Sequence, residues 1–262
     1  MLLAADHPAR GAISVGGDPT AMADRGQLLD RLVRALTRPG VDGVLGTADV
    51  LEDLLLLGVL DDKVVIGSMN RGGLAGAAFE MDDRFTGYNA ATLARMGFEG
   101  GKMMTRIDPD DPGSLATLEA SAQAVSQLSD HGLMAMVEPF MSHRVNGTAK
   151  NELTPEAVIR SIAIASGLGP TSRHMWLKLP AVDDMARVMA ATTLPTLLLG
   201  GDPSGPPEEY YARWEKTLSL AGVRGLIVGR TLLYPPSGDV ESAVDAAVGM
   251  VHPDQGEAAH ER

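Results

Sequence analysis

Cysteine is missing from this 262-residue chain. That excludes a disulfide scaffold, a thiolate zinc site and a thiol nucleophile. No apolar run approaches the roughly 18–20 residues needed to span a bilayer. The N-terminal residues Met1–Asp6 hold no basic region leading into a hydrophobic one, so no secretory signal is read and a cytoplasmic protein is expected. Positive charge is scarce as well. Lys and Arg total 22 against 34 Asp and Glu, a formal net charge of −12. Such a field repels nucleic-acid phosphates and argues against a nucleic-acid partner. An anionic small molecule would need a local positive pocket. Lysine is rare in particular: Lys63, Lys102, Lys150, Lys178 and Lys216 are the full set.

What is present points to a globular enzyme-sized domain. Hydrophobic residues make up 45% of the chain, and mean hydropathy is +0.03. Short apolar runs alternate with longer amphipathic ones. The runs read as strands are Leu2–Ala5, Gly43–Leu45, Val64–Gly67, Gly101–Ile107, Leu133–Val137, Met175–Leu179, Thr196–Leu199 and Gly225–Val228. Helices are expected at Gly26–Thr37, Val50–Leu57, near Tyr88–Met96, and at Ser114–Leu128, Pro155–Ala165, Val182–Ala191, Glu208–Leu220 and Asp239–Val251. Eight strand–helix units in about 250 residues fit a single-domain (β/α)8 TIM barrel. The strands are too apolar for one-sided antiparallel sheets. A doubly wound sheet is the rival, but the first turn, Asp6-His7-Pro8-Ala9-Arg10-Gly11, lacks the G-x-G-x-x-G spacing. The barrel is expected to occupy residues 1–253, with 254–262 a disordered acidic tail.

In a barrel the chemistry sits where strands end. The strand ends here carry Asp6 and His7; Ser68, Asn70 and Arg71; Lys102 and Arg106; Glu138; Lys178; Gly200 and Gly201; and Gly229 and Arg230. An amine attacks a carbonyl only when unprotonated, so a nucleophilic lysine needs its pKa lowered by burial or by a nearby cation. Lys178 is the candidate nucleophile and Lys102 the candidate cation. Glu138 can shuttle a proton from a substrate hydroxyl. Asp6 can orient a lysine. His7 reads first as a hydrogen-bonding residue of the rim and is grouped with the substrate-binding candidates. A plain Lys102–Glu138 ion pair between neighbouring strands is the competing reading of those two residues. The run Asp108-Pro-Asp-Asp111 looks like a metal motif, but it stands just before a helix and reads better as its cap. The histidines lack metal-ligand spacing. Neither a metal nor a cofactor is expected.

The two late strands suggest an anion site. Gly200-Gly201 lets backbone approach closely, and Gly229-Arg230-Thr231 offers amides, a hydroxyl and a guanidinium in one turn. Arg71, Arg106 and Arg144 are candidates for the far end of an anionic substrate.

These residues together resemble a family. The turn Asp6–Gly11, the run Lys102-Met-Met-Thr-Arg106-Ile-Asp108-Pro-Asp110, the pair Val137-Glu138, the strand Leu177-Lys178-Leu-Pro180 and the end Val228-Gly229-Arg230 are similar to the class I, Schiff-base aldolases. The group in question contains tagatose-bisphosphate, sulfofructose-phosphate and bacterial-archaeal fructose-bisphosphate aldolases. The resemblance implies an aldehyde-lyase of carbohydrate metabolism. In it Lys178 forms the imine, Glu138 is the acid and base, and Lys102 and Asp6 assist. Gly201, Gly229 and Arg230 hold phosphate. The fructose-bisphosphate branch has a tyrosine where Glu138 stands, which favours the tagatose- and sulfofructose-like branch. The substrate is expected to be a phosphorylated ketose or keto-sugar acid, a deoxy-keto-gluconate phosphate among them. The products would be dihydroxyacetone phosphate, or a similar three-carbon unit, and an aldehyde. Barrels of this group are often homo-oligomers, and one is expected here. A deoxyribose-phosphate-type aldolase, a metal-dependent class II enzyme and a non-catalytic sugar-phosphate sensor are the alternatives.

Overall fold

A computed structural model describes residues 1–201 and 206–253. The tail expected at 254–262 lies outside the described residues. Within them the chain alternates strand and helix as the apolar runs predict: β1 Leu2–Ala4, α1 Arg25–Leu36, β2 Gly43–Gly46, α2 Ala48–Leu56, β3 Val64–Ser68, α3 Ala90–Met96, β4 Gly100–Ile107, α4 Gly113–Asp130 and β5 Met134–Val145. There follow β6 Thr148–Asn151, α5 Pro155–Ala165, β7 Met175–Pro180, α6 Met185–Met189, β8 Thr196–Leu199, α7 Pro207–Leu218, β9 Val223–Val228, α8 Arg230–Leu233 and α9 Val240–Val251.

Strands β1 to β5 and β7 to β9 pair in parallel, β1 with β9 and β4 with β5, which closes an eight-stranded barrel. The helices wrap it, giving a (β/α)8 TIM barrel. Its packing follows the period of two in a strand. Leu3, Val44, Val65, Met103, Val137, Leu177 and Leu198 point outward into the layer shared with the helices. Leu2, Ala4, Leu45, Ile66, Met136, Leu197 and Ile227 fill the barrel itself. Side chains supply several helix starts. Asp24, Asn89, Thr154 and Asp239 each accept a backbone N–H in the first turn.

Two elements depart from the expected layout. The fifth strand was expected to stop at Val137, yet β5 runs on to Val145 and turns back as β6. The turn is Asn146-Gly147, with φ of +50° and +81°. Asn-Gly is the favoured pair for a two-residue hairpin, because both positions need φ > 0. Helix α6 is shorter than Val182–Ala191, since Asp184 adopts φ +48° and starts it late.

Candidate active site

The alternation that fills the barrel also builds the site. Two residues beyond inward-facing Ala4 stands Asp6. Two beyond Met136 stands Glu138, and two beyond Trp176 stands Lys178. All four charged groups are buried at the C-terminal mouth: Lys102 is 2% exposed, Lys178 3%, Glu138 4% and Asp6 9%. Burying charges is costly unless they are paired, and these are. Lys102 Nζ donates to Asp6 Oδ2 at 2.9 Å and lies 2.6 Å from Glu138 Oε2. Lys178 Nζ lies 3.2 Å from Glu138 Oε1. Sequence reasoning left a simple Lys102–Glu138 pair as the rival to a catalytic set. The structure contains that pair and adds Lys178 and Asp6 to it.

The two lysines move in opposite directions. Burial lowers the pKa of Lys178; Glu138 opposes that shift, Lys102 reinforces it, and the result is below the ordinary lysine value. Burial also lowers Lys102, but Asp6 and Glu138 outweigh it and hold its pKa above the ordinary value. The carboxyls follow. Burial pushes Asp6 and Glu138 up, and the Lys102 ammonium, backed by Lys178, overcomes burial and holds both below the usual carboxylate range. The site therefore offers one amine shifted toward its neutral form, one amine held as a cation and two carboxylates that rest in the anionic form.

These groups line a cavity of about 210 Å³. Besides Asp6, Lys102, Glu138 and Lys178, its walls include His7, Arg71, Gly200, Gly201, Gly229 and Arg230. Gly229 is required sterically, because a Cβ there would sit 2.3 Å from the Ala4 carbonyl oxygen and 2.8 Å from His7 Cε1. Burial depresses His7 well below the ordinary histidine value, so its ring is neutral near pH 7. Asp202, next to Gly201, lies outside the described residues.

Arg106 does not line the cavity. It follows Lys102 and Met104 on the inward face of β4 but sits higher, in a buried ion pair with Glu80. Arg144 is likewise taken, lying 2.6 Å from Asp111. In their place is Arg10, which lines the cavity and has Nη1 3.7 Å from Met104 Sδ. Arg10 stands in the Asp6–Gly11 turn, yet sequence reasoning did not select it as a binding residue. Asn151 and Leu153 also line the wall; the Asn-Gly turn was the signal that would have found them.

The acidic run before α4 closes a turn. Asp108 Oδ1 accepts from Asp110 N at 3.0 Å, and Asp111 Oδ1 accepts from Gly113 N at 2.9 Å. Among the described residues no group of three or more His, Asp or Glu is placed to hold a metal ion. No helix among them is long and apolar enough to cross a membrane.

No curated protein matches the chain. The crystal structure of Cgl0159 from Corynebacterium glutamicum is 57% identical, with a TM-score of 0.94 over 97% of this chain and 85% of that one. An archaeal fructose 1,6-bisphosphate aldolase, its catalytic Lys covalently bound to the carbinolamine intermediate, is 20% identical. Its TM-score is 0.69, over 95% of this chain and 92% of that one. A fructose-bisphosphate aldolase from Slackia heliotrinireducens is 14% identical, with a TM-score of 0.65 over 98% of this chain and 85% of that one. At those identities the two aldolases share the barrel fold. The family model described as Cgl0159-like matches residues 1–248, and the chain belongs to the Cgl0159-like family.

Proposed function

We propose that the protein is a class I aldolase that cleaves a phosphorylated ketose or keto-sugar acid through an imine on Lys178. The observation that carries this reading is the opposed pair of lysines. Lys178 is buried with its pKa lowered, and Glu138 joins it to a Lys102 that stays charged. A structural ion pair has no use for an amine held toward its neutral form.

Neutral Lys178 Nζ attacks the ketose carbonyl to give a carbinolamine, whose hydroxyl takes a proton from solvent and leaves as water to form an iminium. Glu138 takes the proton of the hydroxyl on the far carbon of the bond to be broken. That carbon–carbon bond breaks, its electron pair passes into the iminium to give an enamine, and the aldehyde leaves. The enamine carbon takes back the proton from Glu138. Water then hydrolyses the iminium, releasing the three-carbon ketone and neutral Lys178 and returning to solvent the proton taken up when the iminium formed. Lys102 is held protonated by Asp6, and so supplies a fixed positive charge beside the oxygens that change charge.

The rim supports an anionic substrate. Gly200, Gly201, Gly229 and Arg230 form its phosphate-binding end in this reading. Arg71 follows β3, which lies across the barrel from β8, and Arg10 reaches Met104 on β4, across from β9. They are assigned to a second anionic group at the other end of the substrate. The walls carry three arginines and two lysines against two carboxylates, a local excess of positive charge in a chain of net charge −12.

The test is a panel of ketose phosphates and phosphorylated keto-sugar acids with coupled detection of triose phosphate, with and without EDTA. EDTA-insensitive cleavage of a panel member is expected. Turnover of none, or full inhibition by EDTA, contradicts the reading.

A further inference from the structure

Strand β5 does not end at the mouth of the barrel. The alternation that turns Glu138 inward continues through Phe140, which lines the cavity, to buried Ser142. Ser142 faces Asn151 across the β5–β6 hairpin, and its hydroxyl donates to Asn151 Oδ1 at 3.0 Å. A carboxamide has one accepting oxygen and two N–H donors. With the oxygen engaged by Ser142, the two N–H donors of Asn151 are left for another partner, and Asn151 lines the cavity.

The hairpin is pinned in place. Glu80, in the connection from β3 to α3, accepts from Ala149 N of β6 at 3.3 Å while holding Arg106 of β4 in a buried ion pair. Arg144 of β5 donates to Ala78 O of the same connection at 3.0 Å. A wall held through both of its strands can discriminate by position. The glycine ends of β8 and β9 occupy another sector of the rim, separated from β5 by β7, which carries Lys178. A ketose with its phosphate at those glycines and its carbonyl at Lys178 extends its other half toward the hairpin.

We propose that the β5–β6 hairpin selects the substrate. Asn151 is its specificity-determining residue, and its NH2 donates to a hydroxyl oxygen on the half that leaves as aldehyde. Ser142 is a positioning residue that orients the carboxamide. The inference rests on the aldolase reading.

The experiment runs the reaction toward condensation, with dihydroxyacetone phosphate as donor. D-glyceraldehyde, which carries hydroxyls, is compared with propionaldehyde, of the same carbon number and without them. Wild type is expected to prefer glyceraldehyde in kcat/KM. Asn151→Ala and the size-matched Asn151→Leu are expected to cut that ratio about ten-fold. Ser142→Ala is expected to cut it by a smaller factor. Borohydride labelling of Lys178 by dihydroxyacetone phosphate in each variant shows that the fold and the imine step persist. A ratio within two-fold of wild type in labelled Asn151 variants overturns this inference and leaves the aldolase reading standing. Absence of labelling in wild type overturns both.

Discussion

Glu138 stands between two lysines, with Oε2 2.6 Å from Lys102 and Oε1 3.2 Å from Lys178. One carboxylate cannot hold both amines charged at full strength in a buried site. Lys102 has a second partner in Asp6 and stays protonated, while Lys178 shares Glu138 and moves toward neutrality. The site divides its labour along that asymmetry.

Replacing Lys178 by Met should remove cleavage, by at least about 10³-fold, because no other amine in the cavity is set toward its neutral form. The same change should leave the protein as stable as wild type or more so, by up to about 1 kcal/mol at pH 7, since it removes a desolvated amine whose carboxylate partner, Glu138, keeps its pairing with Lys102. Urea denaturation of the variant checks this. A loss of several kcal/mol would mean that Lys178 serves chiefly as a structural partner of Glu138.

Lys102→Met should behave in the opposite way. Removing one partner of a buried ionic network strands Asp6 and Glu138, at a cost of about 3–5 kcal/mol. The pH dependence follows from the shifts. In wild type the depressed carboxyls stabilise the fold above their unfolded values near 4, and that contribution is lost as pH falls through the lower folded values. The variant lacks that contribution, so its deficit against wild type should be largest near neutral pH and should shrink as pH falls through those values. Lys102 also helps to lower Lys178, so the acid limb of the imine-forming rate should move to higher pH. Urea midpoints across pH and trapping rates across pH measure the two effects.

Glu138→Gln keeps the shape of the site and removes the base. Cleavage should fall by about 10²–10⁴-fold, while a ketose phosphate still forms the imine. Single-turnover trapping compared with steady-state cleavage separates the two. Equal losses in both would place Glu138 at imine formation rather than at bond cleavage.

Arg10→Ala and Arg71→Ala should each raise KM for a doubly anionic substrate by about 10–100-fold, the worth of a charge-assisted hydrogen bond. A singly anionic analogue should show a much smaller change. Steady-state kinetics on matched substrate pairs decides it, and equal effects on both analogues would remove the second anion subsite from the account.

Much of this molecule was legible in its residues. Continuous apolar strands at regular spacing specify a parallel barrel, and strand-end parity places Asp6, Glu138 and Lys178 at one mouth. Parity alone misplaces Arg106, which shares the inward face of Lys102 but is captured by Glu80. Glu80 comes from a long connection between β3 and α3, and no periodic pattern reveals which way its side chain turns. Arg10 escapes strand-end parity for a related reason: it reaches the cavity from a 3-10 turn rather than a strand. The hairpin is announced by Asn146-Gly147, but it lies beyond the last clear apolar run, where strand periodicity gives no signal.

The central claim is that Lys178 is the covalent nucleophile. It is tested most directly by incubating the protein with dihydroxyacetone phosphate and borohydride and mapping the adduct by peptide mass spectrometry. A single adduct on Lys178, absent from Lys178→Met, is predicted. No adduct, or an adduct on Lys102 instead, would contradict the account.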